Sequence, residues 1–232
     1  AYESLEQAQK GEKSQSARFK SIEGTWKFNF VKNYYDRPEG FWAMDYDDSK
    51  WDDFQVPGLF EIYGYGDRIY TNVTYPWNNE HPVNPPYIGE RNNYVGSYRN
   101  QITIPDSWRG QRIFMHIGSA TSNLKVWING RYVGYSEDSK MEAEFDITDF
   151  VEFGRSNLFA MQIMRWCDGS YLEDQDFWRF TGIAREAFLY CRPQAHIDDY
   201  RVTTDLDAAY KNAVLQFEAS LNNADGRSVA LR

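Results

Sequence analysis

The chain has 232 residues, 42% of them hydrophobic, enough for one buried domain of about 100–150 residues and a remainder. Its 34 acidic residues outnumber the 25 basic ones and leave a net charge of −9, which repels phosphate backbones and argues against nucleic acid and anionic membrane as partners. No apolar run approaches the roughly 18 residues of a membrane span, and no charged-then-apolar leader is visible. The first residue is Ala1 rather than Met, so the expectation is an N-terminus that was processed or trimmed away.

Residues 1–21 read as a polar arm, with a short helix possible over Tyr2–Lys10 and nothing that demands a core position. From Ile22 the pattern turns to period two. Trp26-Lys27-Phe28-Asn29-Phe30 alternates apolar and polar side chains, as a half-buried strand does. Ile113, Met115 and Ile117 repeat that spacing, and Leu124, Val126 and Ile128 repeat it again. Asn129-Gly130 then precedes Arg131-Tyr132-Val133-Gly134-Tyr135, a hairpin signal because both turn positions need positive φ. Glu144–Ile147, Asn157–Met164 and Arg185–Tyr190 are further strand candidates. Short strands with turn residues between them predict an all-β, antiparallel jelly-roll sandwich.

Ile69–Asn93 breaks the rhythm with four prolines and six asparagines. A structureless loop of that length is uncommon and is usually functional or disordered. Tyr70, Tyr75, Trp77 and Tyr87 argue against disorder. After Arg192-Pro193 the register changes. Ile197–Thr204 and Ala213–Leu221 read as two strands, and Asn222–Gly226 as a turn into a third, Ser228–Leu231. Some 40 residues follow Pro193, whereas an immunoglobulin-like sandwich needs about 100. The expectation is that the chain stops inside a second domain.

The two cysteines, Cys167 and Cys191, make no disulfide framework and read as buried thiols at strand positions. His81, His116 and His196 have no zinc-type spacing. There is no Gly-x-Ser-x-Gly elbow, and Gly64-Tyr65-Gly66 lacks the lysine and third glycine of a phosphate cradle. Aromatics reach 17%. Sheet packing accounts for most of them, and flat rings also serve the apolar faces of sugars.

Two clusters could carry chemistry. Asp168, Glu173, Asp174 and Asp176 put four carboxylates within nine positions. Like charges this close oppose joint ionisation unless arginine, a cation or water separates them. They read either as a solvated acidic turn paired with Arg165, Arg179 or Arg185, or as a sugar or cation site beside Trp166, Tyr171, Phe177 and Trp178. They do not read as a glycosidase pair, because Glu173 and Asp176 on one short segment cannot easily flank a sugar from opposite sides. In the second cluster, Tyr70-Thr71-Asn72-Val73-Thr74-Tyr75-Pro76-Trp77, the Asn72 amide either caps a loop turn or meets vicinal sugar hydroxyls.

At these clusters the sequence resembles a known family. Arg165-Trp166, Asp168-Gly169-Ser170-Tyr171-Leu172-Glu173-Asp174-Gln175-Asp176, Trp178-Arg179 and Gly182-Ile183 look like the signature of the β-galactosidases of glycoside hydrolase family 2. Tyr70–Pro76 is similar to the sugar-contacting loop of those enzymes, and shorter matches run through the chain in the right order. The resemblance implies an arm over residues 1–21, a sugar-binding jelly roll over 22–192, and the first strands of an immunoglobulin-like domain over 193–232. A (β/α)₈ barrel with two catalytic glutamates would follow and hydrolyse terminal β-galactose with retention. Carried over, Asn72 would contact galactosyl hydroxyls and Val73 would line the pocket. Asp176 would contact the sugar and ligate sodium near the galactosyl O6. Asp168 would help hold a structural divalent ion, as in some relatives, although the arm does not clearly supply its other ligands.

The nucleophile, the general acid and the magnesium ligands would lie on the barrel, outside these residues. The chain alone is therefore expected to be inert and to hold no ion tightly. The implied partners are a lactose-like galactoside, the barrel of the same polypeptide and further copies of the full-length enzyme, in a bacterial cytoplasm or periplasm. A stand-alone carbohydrate-binding module and a purely structural sandwich are the competing readings. The module would bind sugar by itself. The structural sandwich would leave turnover indifferent to Asp176.

Overall fold

The computed structural model describes residues 2–77, 79–223 and 226. Its α-helix, Leu5–Lys10, is short and local: the Gln7 N–H donates to the Ser4 hydroxyl at 3.2 Å, and Gly11 closes it at φ 69°. Among the described residues no helix is long and apolar enough to cross a membrane.

Two antiparallel sheets face each other. The larger runs Arg131–Ser136, Leu124–Ile128, Ser156–Met164, Val95–Thr103, Gly24–Val31 and Asp52–Val56 from edge to edge. The smaller runs Phe19–Ser21, Ala187–Arg192, Arg112–Ile117 and Ala143–Asp146. Apart from the Leu124–Ile128/Arg131–Ser136 hairpin and the Gly24–Val31/Asp52–Val56 pair, neighbours in the sheets are not consecutive strands, as the crossing connections of a jelly roll require. One core joins the inner faces: Trp26, Phe28, Tyr98, Val126, Phe159 and Met161 from the larger sheet meet Ile113, Met115, Ile117 and Leu189 from the smaller, all buried. The all-β sandwich expected from the alternating runs is the observed fold.

The Asn129-Gly130 turn joins Leu124–Ile128 to Arg131–Ser136, with φ 50° and 79° at the two turn residues. The central strand Val95–Thr103 escaped the alternation search. Its first five residues are all buried, so both faces lie inside, and one of those faces buries the polar Ser97 and Arg99. Gly96 sits where a Cβ would run into the Phe60 and Phe28 rings, which explains a glycine within a strand.

Cys191 is a buried strand thiol, as expected. Cys167 is buried but corrects the expectation of a strand position: it precedes the 3-10 turn Asp168–Tyr171, where its N–H meets the Ser170 hydroxyl at 3.1 Å. After Pro193, Ala195–Leu206 and Ala213–Asn223 form a two-stranded ribbon. Ile197, Tyr200, Val202, Val214, Leu215 and Phe217 are exposed on it. The predicted strand Ser228–Leu231 lies outside the described residues.

Candidate functional site

The long Pro- and Asn-rich segment is ordered by an aromatic cluster. Trp77, Trp166 and Tyr171 are buried together, with Tyr75 and Ile88 against them. The Tyr171 hydroxyl donates to Tyr87 O at 2.7 Å, and the Asn84 N–H donates to that hydroxyl at 3.2 Å. Asn93 bonds both ways with Trp166, its amide donating to Trp166 O at 3.1 Å and its oxygen accepting the Trp166 N–H at 2.9 Å. The loop that carries Asn72 and the acidic segment that carries Asp176 are therefore clamped to each other before their tips are reached.

Beyond that clamp the tips pair. Ile69–Thr71 and Phe177–Arg179 form a two-stranded antiparallel ribbon, with Thr71 against Phe177, Tyr70 against Trp178 and Ile69 against Arg179. Alternation sorts its two faces. Tyr70 and Trp178 share the outer face, 53% and 54% exposed, with ring centroids 5.6 Å apart. Asn72 follows Thr71 and Asp176 precedes Phe177, so the two flank the last paired position of the ribbon, and both are exposed. The Tyr70 hydroxyl reaches diagonally to Asp176 Oδ1 at 2.5 Å. This bond raises the Tyr70 phenol above its usual range. Val73 lies two positions beyond Thr71, the last paired residue, and is 88% exposed.

The inner face holds the ribbon in place. Arg179 is buried and donates to Thr71 O at 3.3 Å, to Thr71 Oγ1 at 3.1 Å and to Gln175 O at 2.5 Å. Thr71 and Gln175 are the residues immediately before Asn72 and Asp176, so one guanidinium fixes both backbones. Asp174 pairs with the same guanidinium at 2.5 Å, and Glu173 accepts the Ser139 N–H at 2.9 Å.

The acidic run thus separates into roles. Glu173 and Asp174 are tied to the protein, and Asp176 faces outward on a tyrosine. Asp168 is exposed at the first turn of the 3-10 helix, where its carboxylate, that of Glu137 and the Cys167 sulfur all lie within 4.8 Å of one another. Burial pushes the Cys167 thiol up, so this trio offers two ready oxygen ligands and a reluctant sulfur.

The outer face presents a carboxylate and two exposed rings, and the exposed Asn72 amide at the end of the ribbon adds donors and an acceptor, the groups that suit a polyhydroxylated ligand with one apolar face. The sequence points to Asn72, Val73 and Asp176, with Trp178 among the aromatics beside the acids and Tyr70 in the Asn72 cluster, but not to Tyr70 and Trp178 as a pair or to the bond from Tyr70 to Asp176. The signal was available: Tyr70/Asn72 and Asp176/Trp178 are each spaced by two, the period that puts side chains on one side of a strand.

Residues 19–193 match the family model described as "Glycosyl hydrolases family 2, sugar binding domain". The chain belongs to this family. A β-galactosidase of Priestia megaterium is 40% identical over 222 residues, covering 96% of this chain and 21% of that protein. One from Halalkalibacterium halodurans is 39% identical over 230 residues, covering 99% of this chain and 22% of its own length. The chain thus spans about a fifth of the length of these family 2 relatives. Among solved structures, a Bacteroides uniformis β-glucuronidase superposes with a TM-score of 0.67 at 22% identity, over 88% of this chain and 22% of that one. A family 2 member from Bacteroides cellulosilyticus gives 0.61 at 26% identity, over 89% and 25%. The glucuronidase match, at its low identity, is a likeness of fold.

Proposed function

We propose that this chain is the sugar-binding, N-terminal part of a retaining β-galactosidase, and that Asn72, Val73 and Asp176 form one wall of its galactosyl site. The observation that carries the reading is the ribbon in which Thr71 pairs with Phe177 and the Tyr70 hydroxyl holds Asp176, so that Asn72 and Asp176 flank one paired position beside Tyr70 and Trp178. The β-galactosidase names of relatives 34–40% identical support galactose as the sugar.

In this reading the chain binds and orients, and does not carry out the chemistry. Retaining hydrolysis needs two carboxyl groups about 5–5.5 Å apart across the sugar, and these belong to glutamates on a (β/α)₈ barrel of the full-length protein. Asn72 donates to and accepts from vicinal hydroxyls. Asp176 accepts from one hydroxyl, and Tyr70 fixes the carboxylate by holding one of its oxygens. Trp178 and Tyr70 offer apolar surface for a ring face. Every such bond made more strongly in the transition state lowers the barrier of a step performed elsewhere.

In this reading Asp176 would supply one oxygen ligand to a sodium ion. Asp176 is exposed and makes no ion pair among the described residues, and its carboxylate is a hard oxygen ligand steadied by a neutral donor. Bound there, sodium would neutralise the acid and present a Lewis-acidic partner to a sugar oxygen. Magnesium would be held by the barrel. The reading extends to a homo-oligomeric enzyme acting on lactose-like galactosides, with residues 1–21 as arm, 22–192 as sugar-binding sandwich and 193–232 as the start of an immunoglobulin-like domain.

The test is turnover of nitrophenyl β-D-galactoside, β-D-glucuronide and β-D-mannoside by the full-length protein, beside titration of the isolated chain with galactose. Preference for the galactoside, with no hydrolysis and no saturable micromolar binding by the chain alone, is the expected result. Preference for another glycoside overturns the substrate, and micromolar binding by the chain alone supports the stand-alone module instead.

A further inference from the structure

Behind the ribbon lies a cavity of about 30 Å³, the room of roughly two water-sized spheres. Arg165, Arg179 and Trp77 line it, 2%, 6% and 2% exposed. Each carries a buried N–H without a partner: Nε of Arg165, Nε of Arg179 and Nε1 of Trp77. The Ser139 hydroxyl, on the same lining, is also unpartnered. A buried donor left unpaired is costly, and four residues that line one small cavity each carry one.

The charge around the cavity points the same way. Arg179 is matched by Asp174 at 2.5 Å. Glu173, also on the lining, already accepts from Ser139 N–H and faces the Lys140 charge. Arg165 forms no ion pair among the described residues. It donates to Asp67 O at 2.8 Å and lies 4.3 Å from the Tyr94 ring and 5.0 Å from the Trp166 ring, contacts that leave a full positive charge in place. The buried Glu61 carboxylate acts on it through space, its oxygens being taken by the Thr181 N–H at 2.8 Å and the Thr181 hydroxyl at 2.9 Å.

We propose that this cavity is a binding site for a monovalent anion of halide size, held by the Nε groups of Arg165 and Arg179, Nε1 of Trp77 and the Ser139 hydroxyl. Three N–H groups are donors only, and a halide can accept from all of them at once, whereas a water accepts through two lone pairs. The halide also adds a negative charge beside Arg165 and Arg179. Arg179 also holds the backbones beside Asn72 and Asp176, so the anion stiffens the outer face from behind.

The test uses the full-length protein. Crystals soaked in sodium bromide are expected to give an anomalous peak in contact with Arg165, Arg179 and Trp77. Thermal unfolding at fixed sodium is expected to occur at higher temperature in chloride or bromide than in gluconate. Trp77→Phe removes one donor and keeps the charges, and should weaken the half-saturating bromide concentration by about tenfold. Density for water alone, equal unfolding temperatures in all three salts, or bromide binding indifferent to Trp77 overturns the proposal.

Discussion

The Tyr70 hydroxyl donates to Asp176 Oδ1 across 2.5 Å, joining two segments 106 positions apart in the chain. This bond turns two loop tips into one surface. Tyr70→Phe keeps the ring against Trp178 and removes only the bond. In the full-length enzyme we expect weaker sodium activation and a raised KM for galactosides, with a smaller effect on kcat, read from initial rates at varied sodium. The folded value of the phenol is raised above the ordinary value of about 10. The bond is therefore fully present below pH 10 and lost as pH rises through the folded value. Between pH 6 and 9 the difference between wild type and Tyr70→Phe should stay constant.

Arg179 connects the inner face of the ribbon to both tips. Arg179→Met removes a buried cation and strands Asp174. It should cost about 3–5 kcal/mol in denaturant unfolding and raise the galactoside KM. A variant with unchanged stability would mean that the guanidinium is dispensable.

Asp146 reports on the smaller sheet. Burial pushes its carboxyl up, but the Arg112 guanidinium and the Thr148 hydroxyl and N–H more than offset this and hold it below the ordinary value of 3.8. A lowered carboxyl stabilises the fold above its unfolded value and loses that contribution as pH falls through its folded value. Asp146→Asn should cost about 1.5–3 kcal/mol at pH 7. The gap from wild type should close as pH falls below 3.8, measured by urea unfolding at a series of pH values.

Leu189 is completely buried between the sheets. Leu189→Ala should destabilise the sandwich by about 2–5 kcal/mol through lost burial and the cavity left behind, seen as a lower denaturant midpoint with an unchanged slope.

Much of the sandwich was legible because half-buried strands announce themselves. Trp26, Phe28 and Phe30, or Ile113, Met115 and Ile117, alternate because one face meets the core and the other meets water or a polar neighbour. Val95–Thr103 was not legible, because a strand buried on both sides keeps no alternation and this one includes Gly96 and Arg99. Arg99 is buried yet satisfied, bonding Asp48 at 2.7 Å and the carbonyl of Ala43 at 2.9 Å. The site was legible as residue types and not as geometry. Asn72 and Asp176 stand out as an amide and an acid among aromatics. The segments that carry them are joined by two three-residue strands, too short for any periodic signal, and by Arg179, whose role appears only once its partners are known.

The central claim is that Asn72 and Asp176 act on one sugar. The measurement is a double-mutant cycle in the full-length enzyme, comparing Asn72→Ala, Asp176→Ala and the pair by kcat/KM for a β-galactoside at saturating and zero sodium. The account predicts a large loss from each single change, a coupling energy above about 0.5 kcal/mol, and a sodium response that vanishes with Asp176. Unchanged kcat/KM in both single variants, with the sodium response intact, would contradict it.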